Sequence, residues 1–181
     1  MGLEVRALAG LPEVRAGDDL AGLIAATETR LRDGDVLAVA HKVISKSEGR
    51  VRDLATVAAT ARARELAAGH EKDPRAMQVV LDETAELLRA ERGVVISRTH
   101  HGLVCANAGV DASNAGAANR LVLLPLDPDA SARTLRARLR ERVGVAPAVV
   151  ITDSFGRAWR HGQCDIAIGC AGLAPLEDWR G

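Results

Sequence analysis

The apolar, β-branched run Val149, Val150, Ile151 stops at Thr152 and gives way to Asp153, Ser154, Arg157, Arg160, His161 and Gln163. Asp153 and Ser154 supply hard oxygens of the kind Mg²⁺ or Mn²⁺ accepts, while Arg157 and Arg160 suit phosphate or carboxylate. The run is long enough for one buried strand and too short for a stable helix. In open α/β sheets ligands collect just past the carboxyl ends of strands, and Asp153 and Ser154 are expected there. Gly156 and Gly162 let the chain turn and bring its backbone close to something. A solvated turn after a core strand accounts for the same residues, and this stretch alone does not separate the two readings.

Two more apolar runs end in polar, glycine-containing segments, at residues 41–50 and 107–116. Converging, the three would bring together the carboxylates Asp111 and Asp153, the hydroxyl of Ser154, the amides Asn107, Asn114 and Gln163, and the cations Lys46, Arg157 and Arg160. That inventory suits a metal–nucleotide phosphate site, because Mg²⁺ is held by one or two carboxylates plus phosphate oxygens and Lys or Arg neutralises the rest. The sequence contains no GxxxxGK[ST], and no GxGxxG opens a helix after a strand, so a nucleotide site here is built another way. Plainer readings stand beside these. Lys46 and Glu48 also fit an exposed turn pair, and Asp111 and Asn114 fit side chains bonded to their own turn. His100 and His101 read as structural, and Cys105, Cys164 and Cys170 as small core residues without an activating histidine.

The elements that must position these groups follow from apolar spacing and punctuation. Residues 3–8 read as a short strand, followed by a turn at Gly10, Leu11, Pro12 and Glu13. Asp18 and Asp19 can cap a helix with the face Leu20, Leu23, Ile24, Thr27, Leu31, ending at Gly34. Residues 36–40 form a buried strand running into the polar segment that begins at His41. Asp53 caps an Ala-rich helix closing near Gly69, and Asp73 with Pro74 opens another whose face is Met77, Val80, Leu81, Thr84, Leu87 and Leu88, ending at Gly93. Residues 94–97, 101–105 and 121–124 read as strands. Asp127 and Pro128 open a helix carrying Leu135 and Leu139, with the arginines from Arg133 to Arg142 on its solvated face. The strand at 149–152 and a final apolar stretch at 165–172 follow. Strands and helices mix without strict alternation, which points to an α+β fold rather than a regular doubly wound sheet.

Length and composition bound the function. A chain of 181 residues can bury one good core, and 48% hydrophobic with 27% charged residues fits a folded protein. The 24 basic and 24 acidic side chains cancel, which gives no support to nucleic-acid or membrane-surface binding. Phe155, Trp159 and Trp179 are the only aromatic residues, too few for a base-stacking platform. Three cysteines without a CxxC pair argue against a disulfide framework and for a reducing cytoplasm. The first residues lack a hydrophobic signal core, and no segment is apolar and long enough to span a membrane.

Taken together, the polar segments resemble one family, the coenzyme F420:L-glutamate ligases. The matching residues are Gly10-Leu11-Pro12-Glu13, the run from Gly34-Asp35-Val36 through His41-Lys42-Val43-Ile44-Ser45-Lys46-Ser47-Glu48-Gly49-Arg50, His101-Gly102-Leu103-Val104-Cys105-Ala106-Asn107-Ala108-Gly109-Val110-Asp111-Ala112-Ser113-Asn114, and Ile151-Thr152-Asp153-Ser154-Phe155-Gly156-Arg157-Ala158-Trp159-Arg160, with Gly162-Gln163-Cys164-Asp165 beyond them. They run in order through nearly the whole chain. The resemblance implies a mixed sheet with packing helices, an intertwined homodimer, and a GTP-dependent ligase. That enzyme adds L-glutamate to the deazaflavin coenzyme F420 precursor and extends it through γ-glutamyl links by way of an acyl phosphate. It implies Mg²⁺ or Mn²⁺, with K⁺ as an optional companion, and GTP as co-substrate. Carried over by position, Leu11, Pro12, Glu13, Val14, His41, Lys46 and Asn114 match the GTP contacts, and Asp111, Asp153 and Ser154 the metal ligands, so that Asp111, Asp153 and Lys46 would carry the catalysis. His41 stands at a position that can hold a smaller hydroxyl residue in relatives, which points to contact through its backbone. The family continues past the position of Trp179 and Arg180 with further contacts, so residues 1–181 are expected to be a ligase domain shortened at its C-terminus and defective in catalysis by itself. The alternative is a truncated, non-catalytic paralogue that binds nucleotide or deazaflavin.

Overall fold

A computed structural model describes residues 2–28, 30–91, 93–113, 115–116, 118–156 and 162–180. In chain order it runs helix α1 (Leu20–Thr27), strand β1 (Val36–Ala40), helix α2 (His41–Ser47) and strand β2 (Val51–Asp53). Helices α3 (Ala61–His70) and α4 (Pro74–Asp82) follow, then strands β3 (Thr84–Glu91), β4 (Val94–Thr99), β5 (Val104–Ala106) and β6 (Arg120–Val122). Helix α5 (Pro128–Val143) precedes strands β7 (Ala148–Gly156) and β8 (Gln163–Ala171). The described strands form three sheets, ordered β1-β7-β8, β2-β6 and β3-β4-β5. The β1–β7 pair is parallel, and the pairs β2–β6, β3–β4 and β4–β5 are antiparallel. With five α-helices among the described residues, the chain is α+β, as its irregular order of elements leads one to expect.

The chain divides into two units, the first made of Met1–Glu48, Asp127–Asp153 and Ile166–Gly181. Helix α1 starts where the Asp19 carboxylate accepts from Gly22 N–H at 3.2 Å, and it buries Leu20, Ala21 and Ile24 along one face. Strand β1 alternates, with Leu37 and Val39 turned inward, and its register sets them beside Val149 and Ile151 of β7. Helix α5 has Asp127 as its cap, Pro128 in its first turn and Gly144 at φ 75° as its stop. Its Ala132, Leu135 and Leu139 complete the core with these residues. Full burial of Ile151 or Leu139 contributes roughly 1.5–3 kcal/mol each. At its start α5 is tied to β8, where Cys170 N–H donates to Asp129 Oδ1 at 2.8 Å. A Cβ on neighbouring Gly169 would stand 2.5 Å from the Pro128 carbonyl carbon, so space alone requires glycine there.

The second unit comprises Gly49–Leu126 and Ser154–Asp165. Thr60 caps α3 by accepting from Ala63 N–H, and Asp73 caps α4 by accepting from Arg75 N–H, with Pro74 in the first turn. Small residues let these helices approach closely: Ala63 and Ala67 meet Met77 and Val80, and Val95 of β4 and Ala108 complete the cluster. A neighbouring cluster gathers Leu54, Val79, Leu121 and Leu123. Arg50 stitches this unit, donating to Leu124 O at 2.9 Å and to Glu83 Oε2 at 2.7 Å.

Several elements differ from the sequence reading. Residues 3–8 form no strand, and Leu3 and Val5 stay exposed. Helix α1 ends at Thr27, because Glu28 is already extended. Asp53 does cap, but it caps a single 3₁₀ turn at Leu54–Thr56, and α3 waits until Ala61. The helix expected to run to Gly93 stops at Asp82, and Leu87 and Leu88 lie in β3. Thr84 marks the change: its hydroxyl bonds back to Val80 O at 2.6 Å and meets Ser97 Oγ of β4 at 2.9 Å, so strand pairing overrides helical spacing. The polar segment after β1 is the helix α2, whose inner face is His41, Ile44 and Ser45. Strand β7 continues through Gly156, so Asp153 and Ser154 lie within the strand rather than past its end. The final apolar stretch belongs to β8.

Candidate functional site

In the first unit the site grows out of strand register. Ala40 pairs with Thr152, so the next residues along the two parallel strands, His41 and Asp153, come side by side at the carboxyl end of the pair. His41 Nε2 lies 3.3 Å from Asp153 Oδ1, and Nδ1 lies 3.4 Å from Ser45 Oγ. The His41 side chain is 2% exposed and that of Asp153 17%, so the ring is enclosed while the carboxylate keeps access to solvent. Asp153 therefore sits just past the part of β7 that pairs with β1, although β7 itself runs on.

The same helix carries Lys46, whose Nζ donates to Glu13 Oε1 at 2.5 Å. Gly17 N–H donates to Ser47 O at 2.9 Å, and buried Val14 joins the core with Leu11 packed against it. The segment holding Leu11, Pro12, Glu13 and Val14 is thus docked near α2. Pro12 and Glu13 line a cavity of about 500 Å³ with Arg15 and Asp19. A cavity of about 440 Å³, not anticipated from the sequence, lies against α1, α2 and α5. Leu20, Ile44 and Leu135 are in its walls with Asp18, Glu48 and Arg138, and Ser131 Oγ donates to Glu48 Oε1 at 2.6 Å.

In the second unit Asp111 is held differently. Its backbone exchanges hydrogen bonds with Val122 at 3.0 and 2.8 Å, and its carboxylate accepts from Ser113 N–H at 2.7 Å and Ser113 Oγ at 2.9 Å. Just before it, Asn107, Ala108 and Gly109 have φ of 51°, 53° and 72°, three successive left-handed residues. Lys72 Nζ donates to Asn107 Oδ1 at 2.8 Å. Burial pushes the Lys72 ammonium below the usual lysine range. Ser154 Oγ donates to Asp165 Oδ1 at 2.6 Å. Sequence reasoning does not single out Lys72 or Asp165 as site residues. Asp165 carries a signal as part of the last block matching the family, whereas the Lys72 contact spans 35 positions that no local pattern links.

Asn114, Arg157, Arg160 and His161 lie outside the described residues. Of the three expected metal ligands, Asp153 belongs to the first unit and Asp111 and Ser154 to the second. Among the described residues no three His, Cys, Asp or Glu side chains group as a metal site. The donors themselves fit Mg²⁺ or Mn²⁺: two carboxylates and a hydroxyl, all hard oxygens, with Asp153 partly open to solvent.

Other groups resolve as follows. His101 Nε2 contacts Pro125 O at 2.8 Å, a structural use. The cysteines are not core residues: Cys164 is exposed, and Cys105 and Cys170 are half-buried. Nor is every arginine of α5 solvated, since half-buried Arg136 donates to the carbonyls of Pro147 and Ala146 at 3.1 and 3.0 Å; Arg142 pairs with Asp19 but stays exposed. No helix among the described residues is long and apolar enough to cross a membrane.

Comparison with known proteins agrees with the resemblance. The family model described as F420-0:Gamma-glutamyl ligase matches residues 10–181. The chain is 48% identical over 169 residues to the coenzyme F420:L-glutamate ligase of Methanopyrus kandleri, covering 93% of this chain and 66% of that protein. It is 44% identical over 185 residues to the protein of the same name from Haloarcula marismortui, covering 99% and 71%. The corresponding protein of Archaeoglobus fulgidus is 44% identical over 181 residues, covering 100% and 72%. The chain thus spans about two thirds of the length of these curated relatives. An extent of similarity that takes in both units and every segment discussed above leaves one assignment: this chain belongs to the F420-0:gamma-glutamyl ligase family.

Proposed function

We propose that the protein is a GTP-dependent ligase that joins L-glutamate to the coenzyme F420 precursor and extends the product through γ-glutamyl links. The observation that carries this reading is the similarity, over 93–100% of the chain, to relatives that bear the ligase name. Amide formation from a free carboxylate is uphill in water, so the carboxylate must first be activated. The precursor carboxylate takes the γ-phosphoryl group of GTP, releasing GDP and leaving an acyl phosphate. The glutamate amine then attacks that carbonyl, phosphate departs, and the amine's extra proton passes to solvent.

Side-chain roles follow from the chemistry of each group. Asp111, Asp153 and Ser154 are the proposed ligands of a divalent metal, Mg²⁺ or Mn²⁺, which supplies charge neutralisation on the phosphates when bound. His41, enclosed and 3.3 Å from Asp153, orients that carboxylate through its ring and leaves its backbone for nucleotide contact. Lys46 exchanges Glu13 for phosphate when GTP enters, with Leu11, Pro12, Glu13 and Val14 lining the approach. Asn114 completes the nucleotide contacts, and Arg157 or Arg160 receives a substrate carboxylate or phosphate. The proposal includes a homodimer in a reducing cytoplasm, and K⁺ as an accessory ion. No side-chain nucleophile is required, so the cysteines take no part.

The test is GDP release by the protein extended to the length of its curated relatives, given GTP, Mn²⁺, the precursor and L-glutamate, with chromatography of the product; residues 1–181 alone should release little GDP. Glutamate-dependent GDP release with a matching glutamylated product is the expected result. Nucleotide or deazaflavin binding without turnover would instead favour the non-catalytic paralogue.

A further inference from the structure

Lys72 lies just ahead of α4, half-buried, and donates to the neutral amide of Asn107 at 2.8 Å. Among the described residues no carboxylate pairs with it. Lysines ordinarily keep their ammonium in water or against an acid, so an ammonium spent on an amide is an unusual use. Its acceptor is the first of the three left-handed residues Asn107, Ala108 and Gly109. Asparagine tolerates that conformation, but alanine adopts it only under constraint. Such strain persists where the surroundings over-determine it. Here Ala108 is 2% exposed among Ala63, Ala67 and Met77, and a Cβ on Gly109 would stand 2.7 Å from Leu124. Val110 N–H closes the turn on Asn107 O at 2.9 Å, and the next residue is Asp111, locked to Val122. Packing thus secures the middle of the turn and strand pairing its exit. Lys72 secures its entry.

We infer that Lys72 is a positioning residue for Asp111: by gripping the Asn107 amide it keeps the left-handed turn wound and sets the direction in which the Asp111 carboxylate is presented. This role rests on the reading of Asp111 as a metal ligand. It predicts that a side chain with no contact to metal or substrate nevertheless controls metal affinity.

The experiment is an Mn²⁺ titration of the full chain, following the free ion by electron paramagnetic resonance, with amide hydrogen exchange read on the same proteins. The variants are Lys72→Met, Lys72→Arg, Asn107→Gly, the double variant Lys72→Met with Asn107→Gly, and Asp111→Asn as reference. Glycine at 107 removes the amide while accepting a positive φ. Groups that support a metal ligand typically govern affinity by about 10–100-fold. Lys72→Met should therefore weaken Mn²⁺ binding about 10-fold and speed exchange at Val110 and Asp111 without disturbing α3. Lys72→Arg should recover most of both. Because two side chains act as one device, the double variant should match the worse single variant rather than multiply the losses. Unchanged Mn²⁺ affinity in Lys72→Met, alongside a large loss in Asp111→Asn, would overturn the positioning role and leave the metal reading standing. Unchanged affinity in Asp111→Asn would remove the metal reading and this role with it. Faster exchange spread evenly over α3 and α4 would mark Lys72 as a general stability residue and overturn the proposal as well.

Discussion

Asp153 and Asp111 are presented by opposite means. Asp153 is set by regular structure: the register of two parallel strands places it beside His41, and the buried Val149 and Ile151 hold that register. Asp111 follows a strained left-handed turn that depends on one lysine, one buried alanine and one glycine. A group placed by register should resist changes in nearby polar contacts and suffer from core changes. A group placed by a turn should suffer from both.

The largest expected effect tests whether the two carboxylates are equals. In a version extended to the length of the relatives, Asp153→Asn and Asp111→Asn should each lower ligation more than the ~100-fold upper range for loss of a supporting group. Melting temperatures should stay near wild type, since the amide introduced at position 111 can still accept from Ser113 N–H and the one at position 153 keeps the carboxylate's shape beside the His41 ring. Near-normal turnover at saturating metal in either variant would remove that residue from the site and end the comparison.

Next come substitutions aimed at each means of support. Ile151→Ala should cost about 2–5 kcal/mol in urea unfolding, because it empties a fully buried position behind the register. Gly109→Ala should cost about 1–3 kcal/mol, as its Cβ meets Leu124 at 2.7 Å and its φ is 72°. The contrast sharpens if Gly109→Ala impairs Mn²⁺ binding while leaving unfolding cooperative.

A smaller effect on stability is expected at Lys46. Its partner Glu13 is 66% exposed, so Lys46→Met should change unliganded stability by about 1 kcal/mol or less. Affinity for a non-hydrolysable GTP analogue should nevertheless fall, and unchanged affinity by calorimetry would take Lys46 out of the nucleotide site.

The smallest effect concerns acid. The Arg75 side chain, with its backbone N–H, holds the Asp73 carboxyl down to about 2 from an ordinary 3.8. A depressed acid stabilises the fold fully above its unfolded value, so this contribution is complete above about pH 4 and is lost as pH falls through 2. Solvent screening at this half-exposed pair keeps it to roughly 1 kcal/mol or less. Since Asp73 caps α4 beside Lys72, exchange at the start of α4 should rise over that window, and Asp73→Asn should flatten the rise.

Legibility follows the same division. Helix α5 can be read from Asp127, Pro128 and Gly144 because cap, proline and stop act within a few residues. The buried part of β7 can be read from its apolar run Val149 to Ile151, whereas its continuation to Gly156 cannot. Helix α2 is hidden because its inner face carries the polar residues His41 and Ser45, and the carboxylate that faces the buried His41 ring, Asp153, lies far along the chain. Strand β3 is hidden because Leu87 and Leu88 keep helical spacing while the pairing that claims them comes from β4. The wound turn before Asp111 leaves only a glycine as its trace, since Lys72 reaches it from another element.

The joint between Gly169 and Pro128 has a consequence for how this chain can change over generations. Any side chain at position 169 collides with the backbone at the start of α5, and the obstacle is main chain that cannot swing aside. Relief requires the first turn of α5 to shift, and that turn is also pinned by Asp129 to the next residue of β8. Single replacements at position 169 should therefore be purged even though glycine contributes no side chain to any site. A saturation library selected for folding should return glycine there almost without exception, and the rare survivors should carry a second change in the first turn of α5. Position 169 acts as a historical ratchet, letting the surrounding sequence drift while the seat of the helix on the strand stays where it was first set.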